Sequence, residues 1–242
     1  GYGAEVVLAG DVFDEACDYA YKLAEEKGYT FVHPFNDLAV ATGQGTIAYE
    51  IFSDLPDVDV ILVPIGGGGL IGGLAYAVKH LKPACRVIGV QAAGAPSMAE
   101  SLKKGEIVTL SSVDTIADGI KVKTPGDLTF DMCRQYVDEV VTVTESEIAS
   151  AILTVLEKQK LVAEGAGAVG IAAAMYHKAS IEGQTVCALL SGGNVDVTTL
   201  SRIITKGLSK AGRIAEISTK VADKPGSLLQ LLKVVADSGA NI

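Results

Sequence analysis

The stretch from Asp59 to Leu81, DVILVPIGGGGLIGGLAYAVKHL, restricts the possible folds more than any other part of the chain. Val60 to Val63 is a short, wholly apolar and mostly β-branched run, the pattern of a strand buried on both faces of a parallel sheet. Four glycines follow, Gly66 to Gly69, and then apolar positions at helical spacing: Leu70, Leu74, Ala77, Val78 and Leu81. A glycine turn between strand and helix leaves the first backbone N–H groups of the helix without partners. The helix dipole adds the equivalent of roughly half a positive charge there. Such a turn holds a phosphate without a cationic side chain, and the first cation along this helix is Lys79.

At 242 residues and 49 % hydrophobic content the chain can bury a sizeable core in one or two domains. Its net charge of −9, with no lysine or arginine cluster, argues against nucleic acid or an anionic membrane surface as a partner. Val60 to Val78 lacks charge over a membrane-spanning length, but its glycines and Pro64 suit a strand–turn–helix better. Cys17, Cys85, Cys133 and Cys187 are scattered without metal-finger spacing, as expected of reduced thiols in a cytoplasmic protein. His33, His80 and His177 form no paired-ligand pattern and read as structural, so no metal is expected.

Taken in order, Glu5 to Ala9 reads as a strand and Asp11 as the cap of a helix that Gly28 stops. Thr30 to Val32 reads as a second strand, broken at His33-Pro34-Phe35-Asn36. A helix is expected to open at Gly43-Gln44-Gly45-Thr46 and run to about Asp54. Strands follow at Arg86–Gln91, Val140–Val143 and Thr185–Leu190. Helices are expected at Pro96–Lys104, near Asp127–Tyr136, after the capping box Thr144-Glu145-Ser146-Glu147, at Gly165–Tyr176 and at Val197–Ser209. This alternation gives an α/β domain with a mostly parallel sheet and flanking helices, whose ligands sit at the carboxyl ends of strands. The glycine turns at Gly66 and at Gly192 should therefore face one pocket. Beyond Arg213, Ala215, Ile217, Thr219 and Val221 alternate with polar residues like a half-exposed strand. Asp223-Lys224-Pro225-Gly226 then turns into a helix that Gly239 stops, and a further strand opens at Ala240.

Gly67-Gly68-Gly69-Leu70-Ile71-Gly72 satisfies the dinucleotide pattern G-x-G-x-x-G. That reading needs an acidic residue at the end of the next strand to bind the ribose, and Gln91 stands there. The P-loop pattern fails as well, because no Lys-Ser/Thr pair follows the glycines.

PIGGGGLIGG, TIADG, EGAGA and LLSGGN, in this order and spacing, resemble the threonine/serine dehydratases over Gly1 to about Lys210. These are fold-type II pyridoxal phosphate enzymes with a tryptophan synthase β-like fold, similar to serine racemase. DKPGSL after Ile214 resembles the opening of an ACT regulatory α+β domain, as in threonine ammonia-lyases with a C-terminal ACT domain. The resemblance implies three parts: the remainder of a small cofactor domain at 1–36, a large catalytic domain at 37–210, and a truncated ACT domain at 211–242. It implies pyridoxal 5'-phosphate held by the backbone of Gly66, Gly67, Gly68, Gly69 and Leu70, with Ser191 at the pyridine nitrogen. It implies Glu164 beside the cofactor, Gly119 lining the pocket and Phe35 beside the ring. The reaction implied is β-elimination of threonine, or serine, to a 2-oxo acid and ammonia, in a homo-oligomer that a small effector regulates.

The family's S-F-K-x-R-G lysine segment and S-x-G-N-H-A-Q-G loop do not occur in the 242 residues. Lys121 and Lys123 read as ordinary loop lysines. The expectation is a chain whose beginning is missing and which does not perform the reaction by itself. Gln91 and Ser97 stand where serine racemases place cation-binding carboxylates, which disfavours a divalent site and racemase activity. Two other classes stay open: a non-catalytic amino-acid-sensing fragment, and a nicotinamide dehydrogenase, which Gln91 disfavours.

Overall fold

The computed structural model describes residues 3–10, 13–215 and 217–240. Its centre is a four-stranded parallel sheet: β1 (Val60–Pro64), β2 (Arg86–Ala92), β3 (Glu139–Val143) and β4 (Val186–Ala188), in the order β3-β2-β1-β4. Leu62 lies opposite Ile88 on one side and Ala188 on the other, and Val90 opposite Val141. All of β1 is buried, and its side chains alternate between two cores, as the period of two along a strand requires. Val60 and Leu62 pack with Ile88, Val90, Ile148, Ile152 and Val169. Ile61 and Val63 pack with Ile71, Leu74, Met98 and Phe130. Burying each of these strand residues completely is worth about 1.5–3 kcal/mol.

Helices cover both faces. On the Ile61 side lie α2 (Leu38–Asp54), α3 (Gly69–Leu81), α4 (Ser97–Lys104) and α5 (Asp127–Tyr136). On the Leu62 side lie α6 (Glu145–Gln159), α7 (Gly165–Met175) and α8 (Val197–Lys210). The capping box at the start of α6 is formed: Thr144 Oγ1 accepts from Glu147 N, and Glu147 Oε2 accepts from Thr144 N at 2.7 Å. Two outer helices, α1 (Phe13–Lys27) and α9 (Ser227–Asp237), bury no residue fully.

Four local expectations are corrected. α2 begins at Leu38, well before Gly43, because Asp37 caps it, accepting from Ala39 N and Val40 N at 2.7 and 3.0 Å. Both glycines are interior to it, and Gly45 lets it cross α3 closely, since a Cβ there would stand 3.0 Å from Gly73 O, whereas Gly43 faces open space. No strand forms at 5–9 or at 30–32. A ladder needs a partner, and none pairs with these segments among the described residues; Val6 and Leu8 are 79 % and 93 % exposed. The alternating stretch 215–221 is likewise no strand in its described residues, and Ile217 is exposed. The Asp11 cap, Glu216 and the strand continuing to residues 241–242 fall outside the described residues. No described helix is long and apolar enough to cross a membrane.

Candidate active site

Strand order fixes where the site lies. From β1 the chain moves outward through β2 to β3, whereas β4 adds to the other side of β1. Connections diverge on either side of β1 and β4, which opens the crevice where sheets of this kind bind ligands. The turn that leaves β1 is Gly66–Gly69, and the segment that leaves β4 reaches Ser191. Leu189 N donates to Leu62 O at 2.9 Å, which holds the two departures side by side.

At the first turn, Gly68 adopts φ +99° and serves as the N-cap of α3 without any side-chain cap. Gly72 N is the first to find a helical carbonyl, Gly68 O at 2.8 Å. The amides of Gly69, Leu70 and Ile71 precede it, and a helix offers them no internal partner. No acidic residue stands in the first turn of α3. The carbonyl side, by contrast, is occupied: Gly67 O accepts from Thr129 Oγ1 at 2.5 Å and from Gly126 N at 3.3 Å. A Cβ on Gly67 would collide with the Phe35 ring. One on Gly68 would stand 2.7 Å from Met98 Cε, and one on Gly69 would stand 2.7 Å from Phe35 Cα. Protein packs against the glycines, and the amides are left for a ligand.

The small residues of α7 bring three other pieces together. Gly165 abuts the TIADG loop, where a Cβ would lie 2.8 Å from Ala117 Cα. Gly167 sits so close to Ser191 O that a Cβ would overlap it, and Gly170 lies against Leu62 of β1. Glu164 is the N-cap residue of α7, yet its side chain makes no cap hydrogen bond. Its Oε2 accepts instead from Asn194 N at 3.0 Å, and its other oxygen lies against Gly192 and Gly119. The carboxylate thereby holds the SGGN turn and stands beside the TIADG loop.

These groups line one cavity of about 380 Å³, within the size range of small-molecule sites. Every residue singled out from the sequence borders it: Phe35, Gly66 to Gly69, Leu70, Gly119, Glu164 and Ser191. Lys121 borders it too, the lysine read from sequence as an ordinary loop residue. Its neighbour Lys123 does not; its backbone carbonyl accepts from Leu110 N at 3.1 Å. Sequence reasoning also missed Thr129, because nothing in a local pattern links it to a turn 62 positions earlier.

The sequence pattern described as that of pyridoxal-phosphate dependent enzymes matches residues 1–192. The chain belongs to that family. It is 54 % identical to the L-threonine ammonia-lyase of Thermotoga maritima over 211 residues, 87 % of this chain and 52 % of that protein. Among solved structures it resembles the processed form of threonine deaminase isoform 2 from Solanum lycopersicum, with a TM-score of 0.78 and 40 % identity over 84 % of this chain and 57 % of that one. It also resembles maize serine racemase, with a TM-score of 0.76 and 35 % identity over 87 % of this chain and 65 % of that one. The chain thus spans about half the length of the Thermotoga relative.

The cavity suits the family's cofactor. A phosphate can take the free amides at the N-terminus of α3, and Ser191 supplies a hydroxyl across the same cavity. Gln91, by contrast, is fully buried and committed to protein partners. Its amide nitrogen donates to Ile65 O and Ala95 O, and its oxygen accepts from Ala99 N at 2.8 Å. Neither a ribose nor a cation is served by a neutral side chain spent in this way.

Proposed function

We propose that this chain forms the cofactor-holding body of a pyridoxal phosphate-dependent threonine ammonia-lyase. The observation that carries the reading is the shared cavity: bare amides at the start of α3 on one side and Ser191 on the other, at the divergence of β1 and β4. The backbone of Gly66 to Gly69 and Leu70, which borders the cavity, holds the phosphate dianion, with the helix dipole in support. Ser191 hydrogen-bonds the pyridine nitrogen and, being neutral, does not keep it protonated. When bound, the cofactor delocalises the charge left by Cα deprotonation of the amino acid, so that a β-hydroxyl can depart. Glu164, anchored by Asn194 N, keeps a carboxylate beside the ring and the TIADG loop. Lys121 adds a cation to the same cavity.

The substrate is L-threonine, with L-serine as the smaller alternative, and the products are the 2-oxo acid and ammonia. The identity to the Thermotoga lyase supports this class. The proton-transferring lysine is assigned to a segment outside the 242 residues, which bind cofactor but release no 2-oxo acid unaided. The domain division at 36/37 and 210/211, a homo-oligomer and control by a small effector through residues 211–242 belong to the same reading.

The test has two parts. Titrating the chain with pyridoxal 5'-phosphate should give saturable binding that inorganic phosphate competes away and Ser191→Ala weakens. In a full-length protein containing this chain, threonine should yield 2-oxobutyrate and ammonia. Binding of a nicotinamide dinucleotide, with none of pyridoxal phosphate, would sink the proposal.

A further inference from the structure

His33 looks structural in the sequence, but its ring is wired to the glycine turn. In His33-Pro34-Phe35-Asn36 the proline has no N–H, so the two amides of the turn are those of Phe35 and Asn36. Both donate to His33 Nδ1, at 3.2 and 2.8 Å. An atom that accepts two hydrogen bonds carries a lone pair and no hydrogen, so the neutral ring bears its proton on Nε2. Nε2 faces Cys17 Sγ at 3.8 Å, on the inner side of α1. Four aromatic rings surround the imidazole, those of Phe13, Tyr21, Phe31 and Phe35; Phe35 is nearest, edge-on at 4.5 Å.

The turn that His33 holds is the one pressed against the cavity. The Phe35 ring lies over Gly67 and its Cα beside Gly69. Asn36 Nδ2 donates to Asp127 Oδ1 at 2.7 Å, at the start of α5, and Gly126 N reaches back to Gly67 O. We propose that His33 is a positioning residue: its neutral, Nε2-protonated ring fixes the 33–36 turn and so sets the pose of Phe35 over the phosphate-binding amides.

Protonating His33 would place an N–H against two N–H donors and release the turn. Removal from water already disfavours that charge and lowers the His33 pKa, against a smaller upward pull from Asp37. The groups facing the cluster are Cys17 and Tyr21 from α1, Asp14 and Asp18 on the same helix, Asp37 at the cap of α2 and Asp127 at the start of α5. The Cys17 thiol and the Tyr21 phenol are both pushed up by desolvation and stay neutral between pH 5 and 8. A group depressed in this way contributes stability that is complete above the ordinary histidine range near pH 6.5. That contribution is lost as pH falls toward the depressed value.

The test uses nitrogen-15 spectra of the histidine rings, backbone amide resonances, and titration with pyridoxal 5'-phosphate. At pH 7.5 His33 should show the Nε2–H tautomer. His33→Phe keeps the aromatic packing and removes the acceptor. It should shift the amide resonances of Gly67–Gly69 and weaken cofactor binding by on the order of tenfold. His33→Asn restores an acceptor and should recover most of that loss. Between pH 7.5 and 5.5 the natural chain should lose more affinity than His33→Asn, both sharing the change due to the ligand's own phosphate protonation. An Nδ1–H tautomer overturns the proposal, as does a folded His33→Phe with unmoved Gly67–Gly69 resonances and unchanged affinity. If His33→Phe does not fold, the tautomer and the comparison with His33→Asn decide. The affinity readouts rest on the cofactor reading above, but the tautomer and the amide shifts do not. A chain that binds no pyridoxal phosphate would therefore refute that reading while His33 is still judged by its spectra.

Discussion

The two glycine turns lie on the same edge of the sheet and border the same cavity, but they are held in opposite ways. Gly67, Gly68 and Gly69 are buried, and Phe35, Met98 and Thr129 pack against the side where a Cβ would stand. Ser191 is half-buried, and Gly192, Gly193 and Asn194 are exposed; what fixes them is Gly167 beneath and the Glu164 carboxylate alongside. The first turn presents backbone amides, whose directions depend on a single backbone conformation, and so it is built into the core. The second presents one side-chain hydroxyl and needs only a firm floor. Packing is closest around the turn that offers backbone atoms to the cavity.

Substitutions should separate the two designs, and the largest effect is expected in the buried turn. Gly68→Ala puts a side chain at φ +99° and against Met98 Cε. Left-handed strain of about 1–2 kcal/mol and overpacking of about 1–3 kcal/mol should together lower the urea midpoint sharply and abolish cofactor binding. Gly167→Ala strikes the floor of the exposed turn. A loss of about 1–3 kcal/mol is expected in the same unfolding experiment, with weakened binding as Ser191 is pushed outward. Were Gly167→Ala more damaging than Gly68→Ala, the contrast between the turns would be reversed. Gly192→Ala, at φ +72° against the Glu164 carboxylate, should cost about 1–2 kcal/mol. Because its site is open to solvent, binding should suffer less than stability does in Gly167→Ala. Ser191→Ala should leave the melting temperature nearly unchanged and cost about 0.5–1.5 kcal/mol in cofactor affinity, the net worth of one hydrogen bond.

Burial pushes the Cys133 thiol up to about 12, so it should resist alkylation at pH 8 in the folded chain and react only on unfolding. Labelling of Cys133 in the native state would mean that the layer formed by α3 and α5 opens more readily than its burial implies.

Much of this was legible in one dimension. Val60 to Val63 read as a buried strand, because a short apolar run rich in β-branched residues and ended by Pro64 and four glycines suits a strand–turn–helix. Gly66 to Gly69 announced a turn onto a helix, and the capping box at Thr144 marked the start of α6; both signals are local and their partners lie within a few residues. The misread segments share a different property. Residues 5–9, 30–32 and 215–221 carry strand-like composition, but a strand exists only through a neighbour, and sequence alone does not say whether one is there. The start of α2 was misplaced because Gly43 and Gly45 look like helix breakers, whereas Asp37 caps the helix further upstream and the backbone of α3 lies against Gly45.

The sequence by itself determined the class of fold, the glycine turn between β1 and α3 and the family, since each depends on periodicity and on spacing along the chain. Only the tertiary structure decided that β4 joins the sheet beside β1, so that Ser191 meets the glycine turn across one cavity. It alone placed Lys121 on that cavity, joined Thr129 to Gly67, and turned a histidine between two loops into the anchor of Phe35. The pairings of β4 with β1 and of Thr129 with Gly67 span tens of residues. Even the short-range hold of His33 on Phe35 matters only because Phe35 packs on Gly67, a contact that no local pattern encodes.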